Sequence, residues 1–326
     1  MPADGTSLPR DQRRILVRYP VGQVHVGRAR AKGHSAAACP RHEVGLERFA
    51  SGWKRNYYGK ADVTAYRLQR DGRVVGEGGP LFAANVTMLL YGDAFWSTYT
   101  TGDNAGLIAT DSMKNFIQRE TMNFAGQDLD GYTRFLAETF LAHYSQVEGI
   151  QVSAVEVPYA SRGAWTLSPA GPERATARIE LTRDGCVEAT SGLTGFQLLR
   201  LGGSAFKGFV RDDYTTLPEI TNRPLHMWLD LEWQYSSPAD ALSEGCVSRA
   251  VARMTHEVFD AFESGSIQQV IHQLGTRMLA SIPTLSAVHL EANNRTWDTV
   301  TEQGDARGVY TDARPPYGCL GLSLKR

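Results

Sequence analysis

The chain has 326 residues, 42% hydrophobic and 21% charged. That composition excludes disorder as the global state and allows one large domain or two ordinary ones. No apolar run reaches the roughly 18–20 residues of a bilayer-spanning helix, and no basic start followed by an apolar stretch marks a secretory leader, so a soluble intracellular protein is expected. The net charge of −1 hides an asymmetry: residues 1–55 hold eleven Lys or Arg against four acidic residues, a balance of +7 that leaves −8 on the remainder. A mildly acidic body is a poor nucleic-acid binder. The basic head lacks heptads and stacked aromatics and reads as a flexible, solvated extension. A nucleic-acid arm, a transit-like leader or a translation start placed too early would have the same composition.

Cys39, Cys186, Cys246 and Cys319 are far apart, with no CxxC pair and no His at ligand spacing. Free thiols are expected, with no zinc site and no disulfide framework.

Along the chain, residues 61–69 and 79–91 read as strands around an Asp71-Gly72 turn. Asp111 is a candidate cap for a helix running to Met122, with Met113, Phe116 and Ile117 on one face. A second helix over 130–147 aligns Tyr132, Phe135, Leu136, Phe140 and Tyr144. Strands are expected at 150–158, at 175–189 around Asp184-Gly185, and at 193–201. Residues 225–235 alternate strictly, Leu225 through Tyr235 on one face and His226 through Gln234 on the other. Two more helices follow: one stripes Val247, Val251, Met254, Val258 and Phe262, and the next opens on the capping-box pattern Ser266-x-x-Gln269. Strands at 285–291 and 318–324 close the chain. Each half thus reads strands, two helices, strands. The expected class is α+β, an antiparallel sheet with helices packed on one face. The division is residues 56–190 and 191–326.

No P-loop, GxGxxG, HExxH or GxSxG pattern is present. Four polar clusters stand out: Tyr58-Gly59-Lys60, residues 109–115, residues 206–223, and Asn293 through Asp298. Taken singly, each reads as a cap, a solvated lysine or a polar connection. Taken in order, YGK at 58–60, GDNAGLIATDSMKNFI at 102–117, SGLTGFQLL at 191–199, FKGFVRDDYTTLPE at 206–219 and RPPYG at 314–318 resemble the urate oxidase (uricase) family from about Tyr57 to Arg326.

The resemblance implies tandem tunnelling-fold (T-fold) domains, a homotetramer with active sites between subunits, and oxidation of urate with O2 and water to 5-hydroxyisourate and hydrogen peroxide without metal or organic cofactor. By the same resemblance Phe206 stacks on the purine, and Arg223 and Gln268 clamp its edge beside the backbone of Ile267. Thr110 and Asp111 come from the adjacent subunit. Lys60 and Thr110 form a proton relay, which asks burial to depress the lysine pKa. Asn294 holds O2 and then the attacking water. Many members carry His two residues after that Asn; here Thr296 occupies the position, a hydroxyl able to pass a proton but not to hold one as imidazole does. The alternatives are a non-catalytic purine-binding T-fold protein and a pterin-ring T-fold enzyme. The ending Leu322-Ser323-Leu324-Lys325-Arg326 differs from the peroxisomal Ser-Lys-Leu, so a cytoplasmic setting is expected.

Overall fold

A computed structural model describes residues 56–69, 81–237, 239–243, 247–304 and 307–326. The basic segment 1–55 and the expected Asp71-Gly72 turn lie outside the described residues. In chain order the elements are β1 (Tyr58–Leu68), β2 (Leu81–Tyr91), a 3-10 turn (Asp93–Phe95), α1 (Trp96–Thr100), α2 (Thr110–Glu120), α3 (Leu129–His143), β3 (Gly149–Glu156), β4 (Tyr159–Ser161), β5 (Leu167–Pro169) and β6 (Arg174–Thr182). They continue with β7 (Gly185–Phe206), β8 (Ile220–Tyr235), α4 (Asp240–Ser243), α5 (Val247–Ala261), α6 (Ile267–Ser281), β9 (Leu285–Asn294), β10 (Asp298–Gln303), β11 (Arg307–Thr311) and β12 (Cys319–Lys325).

Eight strands make one antiparallel sheet in the order β1-β2-β3-β6-β7-β8-β9-β12, and β4–β5 and β10–β11 are small separate hairpins. The alternation seen in the sequence builds it. Phe82, Ala84, Val86, Met88 and Leu90 of β2 face inward, as do Leu225, Met227, Leu229, Leu231 and Trp233 of β8. The α3 stripe of Leu129, Tyr132, Leu136 and Phe140 closes over the first group, and the α6 stripe of Ile267, Val270, Ile271, Leu274 and Met278 over the second. Two buried apolar clusters result, and partly buried Ala175 and Ala189 pack against both. The expected α+β class is borne out. Among the described residues, no helix is long and apolar enough to cross a membrane.

Several local expectations need correction. Asp111 is not the cap of α2: Ala109 occupies that position, in extended conformation and with no capping side chain, and Asp111 lies inside the first turn, where its carboxylate accepts from Lys114 and Asn115 instead. The next helix ends at His143 rather than 147, because Tyr144 turns extended. The expected turn near Asp184-Gly185 forms, but no break separates 189 from 193. The chain turns back at Arg183-Asp184, and β7 then runs 22 residues. Bulges keep this strand continuous: Gly195 and Gly203 take φ of 81° and 71° where the β7–β8 register shifts. Gly192 has no room for a side chain, since a Cβ there would lie 2.5 Å from the Leu231 carbonyl oxygen. The 190/191 division therefore falls within a continuous strand. The Ser266 cap does form, its hydroxyl accepting from the Gln269 N–H at 3.2 Å, while the Gln269 amide oxygen reaches one residue beyond the cap to the Gly265 N–H at 2.8 Å.

One buried polar joint links α3 to the long strands. The Asp130 carboxylate accepts from the Ser191 hydroxyl and bonds Tyr235, whose phenol oxygen accepts from the Trp233 indole at 3.1 Å. Burial, aided by the nearby Asp128, pushes the Asp130 carboxyl up to about 7. A pKa raised by folding means the folded state holds a proton that the unfolded chain gives up from about pH 4. Stability from this group is fully present below that pH and is lost as pH rises through about 7. Asp130→Asn should flatten this dependence, removing a slope of at most about 1.4 kcal/mol per pH unit between roughly pH 4 and 7. Thermal midpoints across that range would check it, and parallel curves for the two proteins would contradict it.

Candidate active site

The expected site residues fall into two groups, both on the helix-bearing face of the sheet. The first is at the start of β1. Gly59 lets this strand approach β2 closely, because a Cβ there would lie 1.9 Å from the Met88 carbonyl oxygen. Lys60 pairs with Met88, after which a bulge with Asp62 at φ 58° resets the alternation before Val63. Tyr58 and Lys60 thus share the face of buried Met88 and Leu90. Above them α2 begins at Thr110, its position set by the Ile108 N–H, which donates to the Tyr58 hydroxyl at 3.0 Å. The Asp111 carboxyl is held below the usual range by Lys114 first, with Asn115 and the charge of Lys60 adding to it. Lys60, Thr110 and Asp111 are therefore neighbours.

The second group gathers where β7 ends and β8 begins. Phe206 closes β7 and stacks on Phe209 at 5.0 Å between ring centroids, with the Arg223 guanidinium 6.0 Å from the Phe206 centroid. Arg223 pairs with Ser204 across the ladder. The start of α6 is tied to the same place: the Ala205 N–H donates to the Ser264 carbonyl at 2.8 Å, and the Ser264 N–H to the Gly203 carbonyl at 2.9 Å. Ile267, buried, and Gln268, exposed, occupy the first two positions of α6. Asn294 ends β9 opposite Met227. The Thr296 hydroxyl and backbone N–H both donate to the Asn294 side-chain oxygen, at 2.6 and 3.0 Å, which leaves the amide NH2 as the group Asn294 can offer to a ligand. Residues adjoining this group, among them Ala205, Asn222 and Gly265, line a cavity of about 480 Å³.

The chemistry of this group favours an anion. Arg223 is partly buried, its guanidinium pKa lowered by burial, and its Nε has no hydrogen-bond partner among the described residues. The buried hydroxyls of Ser204 and Ser264 are likewise unpartnered. An aromatic ring, a cation with free donors, an amide and the first-turn N–H groups of α6 together suit a flat, negatively charged molecule. Among the described residues no His, Cys, Asp and Glu side chains gather into a metal-binding set.

Within one chain the two groups do not meet. Following the ladders from Lys60 through Met88, Val152 and Ile179 leads to Ala189 on β7. That is four strand spacings, about 19 Å, across the sheet. Phe206 is then 17 residues farther along β7, on the order of 50 Å. Sequence reasoning missed Tyr58 as a contact of the α2 approach, although its spacing of two from Lys60 was a legible signal. It also missed Arg295, whose guanidinium lies between the rings of Trp228 and Tyr317, 4.2 and 3.5 Å from their centroids, on the opposite face from Asn294.

The Uricase family model matches residues 56–176 and 189–320. A uricase of Haloferax volcanii is 36% identical over 303 residues, covering 82% of this chain and 97% of the relative. The uric acid degradation bifunctional protein of Bacillus sp. TB-90 is 36% identical over 80% of this chain, and the chain spans only 58% of that relative's length. The corresponding Bacillus subtilis protein is likewise spanned over only 60% of its length. Among solved structures, urate oxidase from Bacillus sp. TB-90 superposes with a TM-score of 0.77 at 33% identity, covering 83% of this chain and all of that one. The uricase of Bacillus fastidious gives 0.76 at 33% identity, covering 83% of this chain and 94% of that one. The fold is therefore the α+β T-fold. The chain belongs to the uricase family.

Gly59→Ala should force β1 away from β2, costing about 1–3 kcal/mol and lowering the thermal midpoint by several degrees. A midpoint equal to that of the parent would contradict the close approach.

Proposed function

We propose that the chain is a urate oxidase, converting urate, O2 and water to 5-hydroxyisourate and hydrogen peroxide without metal or organic cofactor. The observation that carries this reading is the Phe206–Arg223 pair tied to the α6 N-terminus, with Asn294 on the adjacent strand β9, in a member of the uricase family. In the proposed complex Phe206 stacks on the purine. Arg223 and Gln268 bond its edge, the guanidinium supplying charge and parallel donors, with the Ile267 backbone beside them. The buried, unpartnered Nε of Arg223 supports this role, since a bound anion would satisfy it.

Deprotonated urate is itself the reductant, so the protein's task is to stabilise the anion, hold O2 over the ring and move protons. Asn294 offers its NH2 to O2 and then to the attacking water, its amide oriented by Thr296. Lys60 and Thr110 relay the protons. We further propose that Lys60, Thr110 and Asp111 reach the clamp from a second copy of the chain, because their separation along the ladders keeps them from the clamp of their own chain. A homotetramer with sites between subunits meets that need. We also propose residues 56–190 and 191–326 as tandem T-fold units, each helix pair with its own apolar core. The exposed, free thiol of Cys319 fits the reducing cytoplasm proposed as the setting.

Aerobic loss of the urate ultraviolet band by chelator-treated protein, with matching O2 uptake and peroxide release, tests the activity. No turnover with urate still bound would favour a purine-binding protein that has lost its relay. Arg223→Ala should weaken urate binding by roughly a hundredfold or more through loss of a charged two-point contact; unchanged affinity would remove Arg223 from the clamp. Lys60→Met should lower turnover by roughly a hundredfold or more while largely preserving urate affinity. An equal loss of both would make Lys60 structural.

A further inference from the structure

We infer that Tyr58 is a positioning residue for the reaction: its hydroxyl holds the approach to α2 in the place that sets Thr110 against Lys60. The inference rests on the relay reading above. The residues to be aligned come from distant parts of the chain, Lys60 from edge strand β1 and Thr110 from the first turn of α2. Lys60 is fixed by the ladder to Met88, but Thr110 follows a connection with no ladder of its own. The contact between them is supplied by Tyr58. It lies two residues before Lys60 on the same strand face, opposite Leu90. Its ring meets Phe95, 1% exposed, edge to face at 4.9 Å and 76°. Its oxygen accepts the N–H of Ile108, a buried residue two before Thr110, at 3.0 Å.

A single rigid side chain thus spans from the lysine-bearing strand to the start of the threonine-bearing helix. Phe95 prevents the ring from swinging away, and the aromatic body has few torsions through which the separation could drift. Ala109 next in the chain has no capping side chain, so α2 lacks the usual local device for fixing its first turn. Misplacement by about 1 Å is enough to slow a positioned reaction strongly. The role is one of geometry, since Tyr58 is assigned no contact with urate or O2.

The test uses the full chain and the conservative variant Tyr58→Phe, which keeps the ring and removes the acceptor. Turnover should fall roughly tenfold or more. Urate affinity, measured with O2 excluded, should change less than about threefold, since Phe206, Arg223 and Gln268, which are proposed to hold the purine, are left unaltered. A residue acting through Thr110 should also be non-additive with it, so Tyr58→Phe with Thr110→Ala should turn over no more slowly than Thr110→Ala alone. Parental turnover in Tyr58→Phe overturns the inference, as do losses that multiply in the double variant, which would mark a general structural defect. If Lys60→Met also turns over like the parent, the relay reading fails and the inference with it. If Lys60→Met is impaired and Tyr58→Phe is not, the inference alone fails.

Discussion

Strand β7 runs unbroken from the turn after β6 to Phe206 and pairs with both halves of the sheet, with β6 on one side and β8 on the other. Its length sets the distance between the two groups of candidate site residues. Because each residue advances the chain by about 3.3 Å, a strand of this length puts its two ends tens of ångströms apart. Bulges at Gly195 and Gly203 shift the pairing without ending it, which lets Ser204 and Phe206 meet Arg223 while Phe196 and Leu198 still face the core. The same continuity separates the Lys60 group from the Phe206 group. A sheet of this kind keeps the two proposed half-sites at opposite ends, and the proposed reading joins them by association between copies.

The two half-sites differ in their electrostatics. Around Arg223 the charge is partly desolvated and its Nε is unpartnered, so the pocket favours an incoming anion before any catalytic group acts. Around Lys60 the charges are already mutually engaged: Asp111 is paired with Lys114 and feels Lys60, in an exposed setting where such pairs contribute little stability. In the proposed reading one half binds and the other is placed against it. Thr296 belongs with the binding half. By donating to the Asn294 carbonyl oxygen it leaves the NH2 end of the amide for the proposed ligand, something a residue can do without holding a proton itself.

Period and spacing determined much of the protein. The alternation of 225–235, the helical stripes under α3 and α6 and the Ser266 cap were legible because burial of one face imposes a period that residues record locally. The motifs around Lys60, Thr110, Phe206 and Asn294 were legible because their order along the chain is specific. Tertiary structure decided what depends on pairing between distant segments. It decided that Gly195 and Gly203 sit at bulges and Gly192 at a close crossing within one strand, since a glycine reads alike in a turn and in a close crossing of backbones. It placed Ala109 rather than Asp111 at the head of α2, because the extended approach held by Tyr58 fixes where the helix can start. It also separated Lys60 from Arg223, since distance across a sheet is set by strand order, and strand order arises only when remote segments hydrogen-bond.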